Sequence, residues 1–402
     1  MKAGEFGKDY PVVREWTTKP LKLARAGDVL ICVVGATAGK LNLGIDCAIG
    51  RSVAAIRPFP SVESKLIYRQ LLLQVKKLRT ESTGSAQGVI SKETLSQIEV
   101  VIPPEQEQRR IADKLDTVLA RVDAVNERLA RVAPLLKRLR QSVLAAATSG
   151  RLTEDWRSIH APSEWVALSL GEVLDGKPRN GYSPKAVDYP TPVRSLTLAA
   201  TTSGKFRGEC CKFIDEQIPE DSHLWLQSGD VLIQRANSLE YVGVSAVFDG
   251  ESGQFIYPDL MMKAKPDTSR LSSAFLHVLL SCEKSRQYLR NNATGTAGNM
   301  PKINQQTVMS LPVLLPEPQE QTEIVRRVEL LFAYADRLEA RLSAAQTAAE
   351  RLTPALLAKA FRGELVPQDP LDEPAAELLR RLQSERSTAA PAARGRGRKA
   401  AA

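Results

Sequence analysis

Pro104-Glu105-Gln106-Glu107-Gln108 and Glu317-Pro318-Gln319-Glu320-Gln321 are one phrase written twice, and the residues after each copy decide the fold. The match runs on without a gap through Ile111/Ile324, Asp123/Asp336, Leu129/Leu342, Leu139/Leu352 and Gly150/Gly363. After the first copy the apolar positions are Ile111, Leu115, Val118, Val122, Val125, Leu129, Val132, Leu136, Leu139 and Val143. After the second they are Ile324, Val328, Leu331, Ala335, Leu338, Leu342, Ala345, Ala349, Leu352 and Leu356. Both sets alternate four and three apart, which is the seam of a coiled coil. Two long helices are therefore expected, over 105–147 and 317–361, each stopped at a glycine, Gly150 or Gly363. Each would be a rod of roughly 64 Å. Pro134 and Pro354 interrupt the stripes, and a kink is expected near each. The easiest pairing within one chain is antiparallel, with the globular parts at opposite ends.

Upstream, the repetition is looser. Gly27-Asp28-Val29-Leu30 matches Gly229-Asp230-Val231-Leu232, and Leu78-Arg79 with Thr83-Gly84 matches Leu289-Arg290 with Thr294-Gly295. Strands are read at 193–199, 230–234 and 243–248 with a helix at 273–290, and in the first copy at 28–34 and 52–56 with a helix at 65–79. The fold class is α+β: two globular domains of α/β type separated by two long antiparallel coiled-coil helices. The expected divisions are 1–104 for a first domain, 105–150 for the first helix, 151–164 for a linker, 165–316 for a second domain and 317–363 for the second helix. A C-terminal segment, 364–402, ends in a basic, disordered tail (Ala393-Arg394-Gly395-Arg396-Gly397-Arg398-Lys399). Residues 165–228 precede the second Gly-Asp-Val-Leu but only residues 1–26 the first, so the first domain reads as short of its opening portion. A late start codon, a truncated gene and a minimal domain all fit.

Composition narrows the function. A chain of 402 residues suits two domains, and its 43% apolar and 25% charged residues are those of a globular protein without a membrane span. The N-terminal residues lack a signal peptide's apolar core, so a cytoplasmic location is expected. Five cysteines (Cys32, Cys47, Cys210, Cys211, Cys282) and three histidines (His160, His223, His277) show no metal-ligand spacing. The net charge of +9 favours a polyanionic partner, and with aromatics at 5% double-stranded nucleic acid suits better than a single strand.

Catalytic motifs fail on inspection. Gly35-Ala36-Thr37-Ala38-Gly39-Lys40 is one residue short of a phosphate loop, and Leu41 stands where a magnesium-binding hydroxyl is needed. There is no glycine fingerprint for a methyl donor. Asp259 and Lys263 lack the second acid of a nuclease, since that position is Met261. Candidate base- or phosphate-contacting residues are Lys177, Arg179, Asn180 and Tyr182 in a Gly/Pro-rich loop, Arg194, the run Arg235, Asn237 and Ser238, and Asn299 with Lys302. Lys40 and Arg51 are further candidates, in the first domain. Arginine suits guanine, asparagine suits adenine, and lysine mainly meets phosphate.

The segment Pro134-Leu135-Leu136-Lys137-Arg138-Leu139-Arg140-Gln141-Ser142-Val143-Leu144-Ala145-Ala146-Ala147, with Ser149-Gly150-Arg151-Leu152-Thr153-Glu154-Asp155-Trp156-Arg157, closely resembles the specificity subunits of type I restriction-modification systems. Ala335-Asp336-Arg337-Leu338-Glu339, then 356–365 and Val366-Pro367-Gln368-Asp369, resemble that family's second conserved region. The resemblance implies a non-catalytic DNA-specificity subunit with two target-recognition domains, each reading half of a bipartite site in double-stranded DNA. It also implies that the helices dock two methylation subunits, with restriction subunits completing the complex. S-adenosylmethionine, ATP and magnesium would sit on those partners and no cofactor on this chain. The short first domain departs from the pattern and puts reading of the first half-site in question. The competing reading is a coiled-coil scaffold that binds protein and has no DNA specificity. Seam residues expected to matter for assembly are Ile111, Leu115, Val122, Leu129, Leu136, Ile324, Leu331, Leu338, Leu342 and Leu352, with Leu119 and Phe332 expected on the outer faces.

Overall fold

The last glutamine of each repeated phrase joins a long helix to a globular layer. Gln108 and Gln321 are both buried. The Gln108 Nε2 donates to the carbonyls of Pro103 (2.9 Å) and Ser61 (3.4 Å), and its Oε1 accepts from the Glu63 amide (2.8 Å). Gln321 donates to Pro316 (3.0 Å) and Arg270 (2.6 Å) and accepts from Ser272 (3.0 Å). An amide can do this because it carries donor and acceptor on one rigid group. The computed structural model describes residues 1–82, 89–295 and 300–388, and falls into two units: Met1–Ala130 with the chain from Ser343 onward, and Arg131–Leu342.

The first unit begins with β1 (Leu23–Ala24), β2 (Val29–Cys32), β3 (Leu41–Leu43), β4 (Cys47–Ala48) and β5 (Val53–Ile56). An antiparallel sheet runs β3-β2-β5, and β1 pairs β4 beside it. Strand β2 is buried at every position, as its unbroken apolar run Val-Leu-Ile-Cys requires. Val29 and Ile31 face a core that includes Ile67, Tyr68 and Leu71 of α1 (Ser64–Ser82), while Leu30 faces Ala24, Val53 and Phe6 on the other side. Then come α2 (Lys92–Ser96), capped by the Ser91 side chain, and α3 (Glu105–Ala147).

The second unit continues with α4 (Glu154–His160), β6 (Val166–Ser169), β7 (Arg179–Asn180), β8 (Ala186–Val187), β9 (Arg194–Leu196), β10 (Cys211–Ile214), β11 (Val231–Gln234), β12 (Ser245–Val247), β13 (Phe255–Ile256) and β14 (Met261–Ala264). It closes with α5 (Ser273–Ser281), α6 (Glu283–Asn291), α7 (Gln305–Met309), β15 (Pro312–Leu315) and α8 (Pro318–Phe361). The sheet β12-β11-β14-β7 has the first unit's three strands plus β7. A second sheet runs β13-β9-β10-β8, and β15 pairs β6. Val231 and Ile233 face α5, and Leu232 faces Leu196, Phe248 and Phe255.

Four expectations need correction. The single helix over 273–290 is two helices, because Cys282 is extended (ψ 148°) and its backbone starts α6. Residues 151–164 are a packed segment and not a free linker: they include α4, Thr153 donates to the buried Glu320 (2.6 Å), and Arg327 pairs with Asp155 (2.6 Å). Beyond Gly363, α9 (Ala375–Thr388) places Leu378 and Leu382 in the first unit's core. The basic tail itself lies outside the described residues. Leu119 is not on an outer face; it is buried with Ile111, Leu115, Leu357 and Ala360. Phe332 is partly covered, packed against the second unit's core beneath the Arg140 guanidinium.

Within the first unit the start of α3 meets the end of α8 through that cluster. Within the second, Val143 and Leu144 of α3 share a core with Ile324 and Val328 of α8, and Arg140 pairs with Asp336 (2.5 Å) and Glu339 (3.1 Å). In the second unit, where 143–144 meet 324–328 and Arg140 meets 336–339, the two helices therefore run antiparallel. Pro134 and Pro354 lie inside helices that continue on both sides. Of the seam positions, Ile111, Leu115, Val122, Leu136, Ile324 and Leu342 are buried. Leu129, Leu331 and Leu338 are half-buried. Val125, Leu139 and Leu352 are exposed, since a helix with one partner covers only part of its stripe.

Candidate nucleic-acid interface

Where β11 ends, four backbone segments of the second unit converge. Arg235 and Ala236 donate their amides to the Leu260 carbonyl (2.8 and 3.2 Å), and Arg235 accepts from Ile303 (2.9 Å). Ala236 also bridges Lys302, which pairs with Thr294 through two 2.8 Å bonds. The fourth segment follows β7: Gly181 donates to Met261 (3.1 Å) and Tyr182 to Tyr257 (2.9 Å). A glycine is needed at 181, because a Cβ there would lie 2.2 Å from the Tyr257 carbonyl oxygen.

This arrangement gathers Tyr182, Arg235, Asn237, Ser238 and Lys302 at one end of the sheet. The Arg235 guanidinium donates to the Asp259 carbonyl (3.2 Å), keeping other donors free on a half-buried side chain. Ser238 and Lys302 are exposed. The Tyr182 hydroxyl donates to Glu216 (3.2 Å), and that hydrogen bond, together with the carboxylate's charge, holds the phenol above its ordinary pKa. Ser183 donates to the Asp259 carboxylate (2.5 Å) and fixes the turn.

The other candidates lie elsewhere. Strand β7 is antiparallel to β14, with Arg179 opposite Lys263, so Lys177 sits beyond the far end of β14, near Pro266. Arg179 is exposed and Asn180 half-buried with no partner on its Oδ1. Arg194 belongs to the second sheet and stacks over Phe255 (5.5 Å). Asn299 lies outside the described residues. In the first unit Lys40 and Arg51 are both exposed. Arg51, Lys22, Arg57 and Lys92 line a groove of about 850 Å³ along β5, floored by Val53, Ala54, Ile56 and Ile90. In the second unit the equivalent edge, on β14, carries β7.

Sequence reading missed two groups of residues. One is Gln234, fully buried at the end of β11. The other is the pair of acids beneath the Gly-Asp-Val-Leu turns. Asp230 accepts from the Gln227 amide (2.9 Å) and faces buried Lys263 (3.3 Å), whose ammonium donates to the Trp225 carbonyl (2.7 Å) and is held below its ordinary pKa by burial. Asp28 accepts from the Arg25 amide (2.8 Å) and binds Arg57 through two bonds (2.8 and 2.7 Å), and that guanidinium holds the carboxyl below its ordinary range. No described helix is long and apolar enough to cross a membrane.

Residues 17–133 match the family described as the type I restriction modification DNA specificity domain. The chain is 34% identical over 368 residues to the type I restriction enzyme EcoKI specificity subunit of Escherichia coli K12, covering 88% of this chain and 78% of the relative. It is 33% identical over 366 residues to the StySPI specificity subunit of Salmonella potsdam, with the same 88% and 78% coverage. In fold it is similar to the HsdS subunit from Thermoanaerobacter tengcongensis (TM-score 0.56, 19% identity, 90% of each chain). A chain from a structure on complex assembly and conformational transition of the type I R-M system gives a TM-score of 0.64 at 18% identity, again over 90% of each chain.

Proposed function

Because this chain belongs to the type I restriction-modification DNA specificity subunits, a non-catalytic family, we propose that its second unit reads one half of a bipartite duplex site through the loops at the end of β11. The observation that carries this reading is the convergence of Tyr182, Arg235, Asn237, Ser238 and Lys302 on one edge, with their backbones tied by ladder-like hydrogen bonds. Arg235 and Asn237 are side chains able to discriminate bases, and Lys302 is suited to phosphate. The long helices dock methylation subunits, two per complex, and restriction subunits join them. The exposed Leu330 and Tyr334 on α8 offer an apolar surface for that docking. S-adenosylmethionine, ATP and magnesium belong to those partners, and the assembly works in the cytoplasm.

The test is the salt dependence of duplex binding by the full chain. Lys302→Ala should weaken binding to cognate and random duplexes alike and reduce the slope of log affinity against log salt by about one. Binding that does not vary with salt would favour a protein-binding scaffold.

A further inference from the structure

The side chains of Gln234 and Asn237 form a hydrogen-bonded chain whose direction is fixed at both ends. At the buried end the Gln234 Nε2 donates to the Leu198 carbonyl (3.0 Å) and to the hydroxyls of Thr201 (3.0 Å) and Thr202 (3.1 Å). A carbonyl can only accept, so the Gln234 amide must present nitrogen there and oxygen outward. That oxygen accepts from the Asn237 Nδ2 (2.7 Å), and the Asn237 Oδ1 accepts from the Ser238 amide (2.7 Å). The Ser238 N–H can only donate, so neither amide can flip without setting like groups against each other at both ends.

We infer that Gln234 is a positioning residue that locks the Asn237 carboxamide in one orientation, making it a reader of adenine in the second unit's half-site. The inference rests on the proposal that these loops meet DNA. Locked this way, Asn237 keeps one N–H and one oxygen lone pair uncommitted. A donor beside an acceptor is what adenine's major-groove edge takes, through N7 and the N6 amino group. A freely flipping amide would lose part of this preference, because in half its orientations donor would meet donor. Gln234 is wholly buried, so it acts through Asn237 and not by touching DNA.

The experiment selects duplexes from a random library with the full chain and compares base preference, position by position, across variants. Asn237→Ala should relax preference at one A·T pair by roughly ten-fold or more. Gln234→Met, similar in shape but without hydrogen-bonding groups, should relax the same position while leaving random-duplex affinity and its salt slope unchanged. Gln234→Glu keeps an acceptor facing Asn237 and should retain the preference despite a lower melting temperature. If Gln234→Met keeps full preference at the position that Asn237→Ala relaxes, the inference is overturned. It is also overturned if Arg235→Ala relaxes the motif and neither Asn237→Ala nor Gln234→Met does, with the reading of the loops intact. A motif unchanged by all three substitutions would instead overturn the loop reading. Should Gln234→Met not fold, selective 15N-asparagine labelling of the unmodified chain decides. Slow exchange of one Asn237 side-chain proton supports the lock, and rapid exchange of both refutes it.

Discussion

The two units share a scaffold and differ at the positions that could touch DNA. Ser64 and Ser273 each donate to the carbonyl of the glycine in their Gly-Asp-Val-Leu turn, Gly27 or Gly229, at 2.6 Å. Asp28 and Asp230 each accept the amide three residues back, and Gln108 and Gln321 make the same three contacts. Yet the ladders place Cys32, Val33 and Gly35 where the second unit has Gln234, Arg235 and Asn237. The Ile90 amide meets Val33 as that of Ile303 meets Arg235, so Val89 stands in the place of Lys302. One set of residues builds the frame and another, at the far end of the Gly-Asp-Val-Leu strand, sets what the frame presents. In the first unit that second set is apolar, and a groove lined by Lys22, Arg51, Arg57 and Lys92 lies along β5.

If the frames are equivalent, matched substitutions should do matched damage, each in its own unit. Ile111 and Ile324 are both fully buried, and an aspartate at either site would be a buried, unpaired charge costing about 4 kcal/mol or more. Hydrogen exchange read by mass spectrometry should show Ile111→Asp deprotecting residues 1–130 and Ile324→Asp deprotecting 131–342. Deprotection of the same peptides by both variants would break the equivalence.

A second test separates the units by pH. All three histidines lie in the second unit, and burial pushes the pKa of His277 down to about 4. The folded form thus stays neutral at this site where an unfolded histidine, near 6.5, takes a proton. Between these values the unfolded state binds more protons, so stability is lost as pH falls through that window. The loss should reach at most about 3 kcal/mol, less because the ring is partly exposed. Urea midpoints followed by tryptophan fluorescence, which three of the chain's four tryptophans report from the second unit, should fall from pH 6.5 to 4.5, and His277→Gln should flatten the curve. An unchanged slope in that variant would assign the effect to another group.

Smaller effects are expected at the joints. Gln108→Ala and Gln321→Ala each leave a backbone amide and two carbonyls without their partner, at a cost of about 1–3 kcal/mol. Losses that differ by more than about 1 kcal/mol in urea unfolding would show that the joints are not alike.

Much of this frame is legible in the sequence. The bounds of α3 come from the heptad and Gly150, and β2 and β11 from unbroken apolar runs after Gly-Asp. The break at Cys282 is not legible, because no glycine or proline marks it and the next helix simply starts from its backbone. Nor is the docking of α9. Leu378 and Leu382 make a short amphipathic stripe, and its partner is a core built some three hundred residues earlier. Among the candidate contacts, the run at Arg235 could be placed because it directly ends a strand. Lys177 and Arg194 could not, because their company depends on which way β7 runs and which sheet β9 joins. Gln234 escaped notice since a polar residue at a strand end reads as exposed, and only the turn at 198–202 buries it.

If base discrimination resides in the second unit's loops, Arg235→Ala tests it most directly. Affinity for the selected cognate duplex and for random duplex should be measured at one salt concentration. The expected result is a loss of about 1–3 kcal/mol on the cognate duplex with little change on the random one. Equal losses on both would make Arg235 a phosphate contact and contradict its role as a base reader.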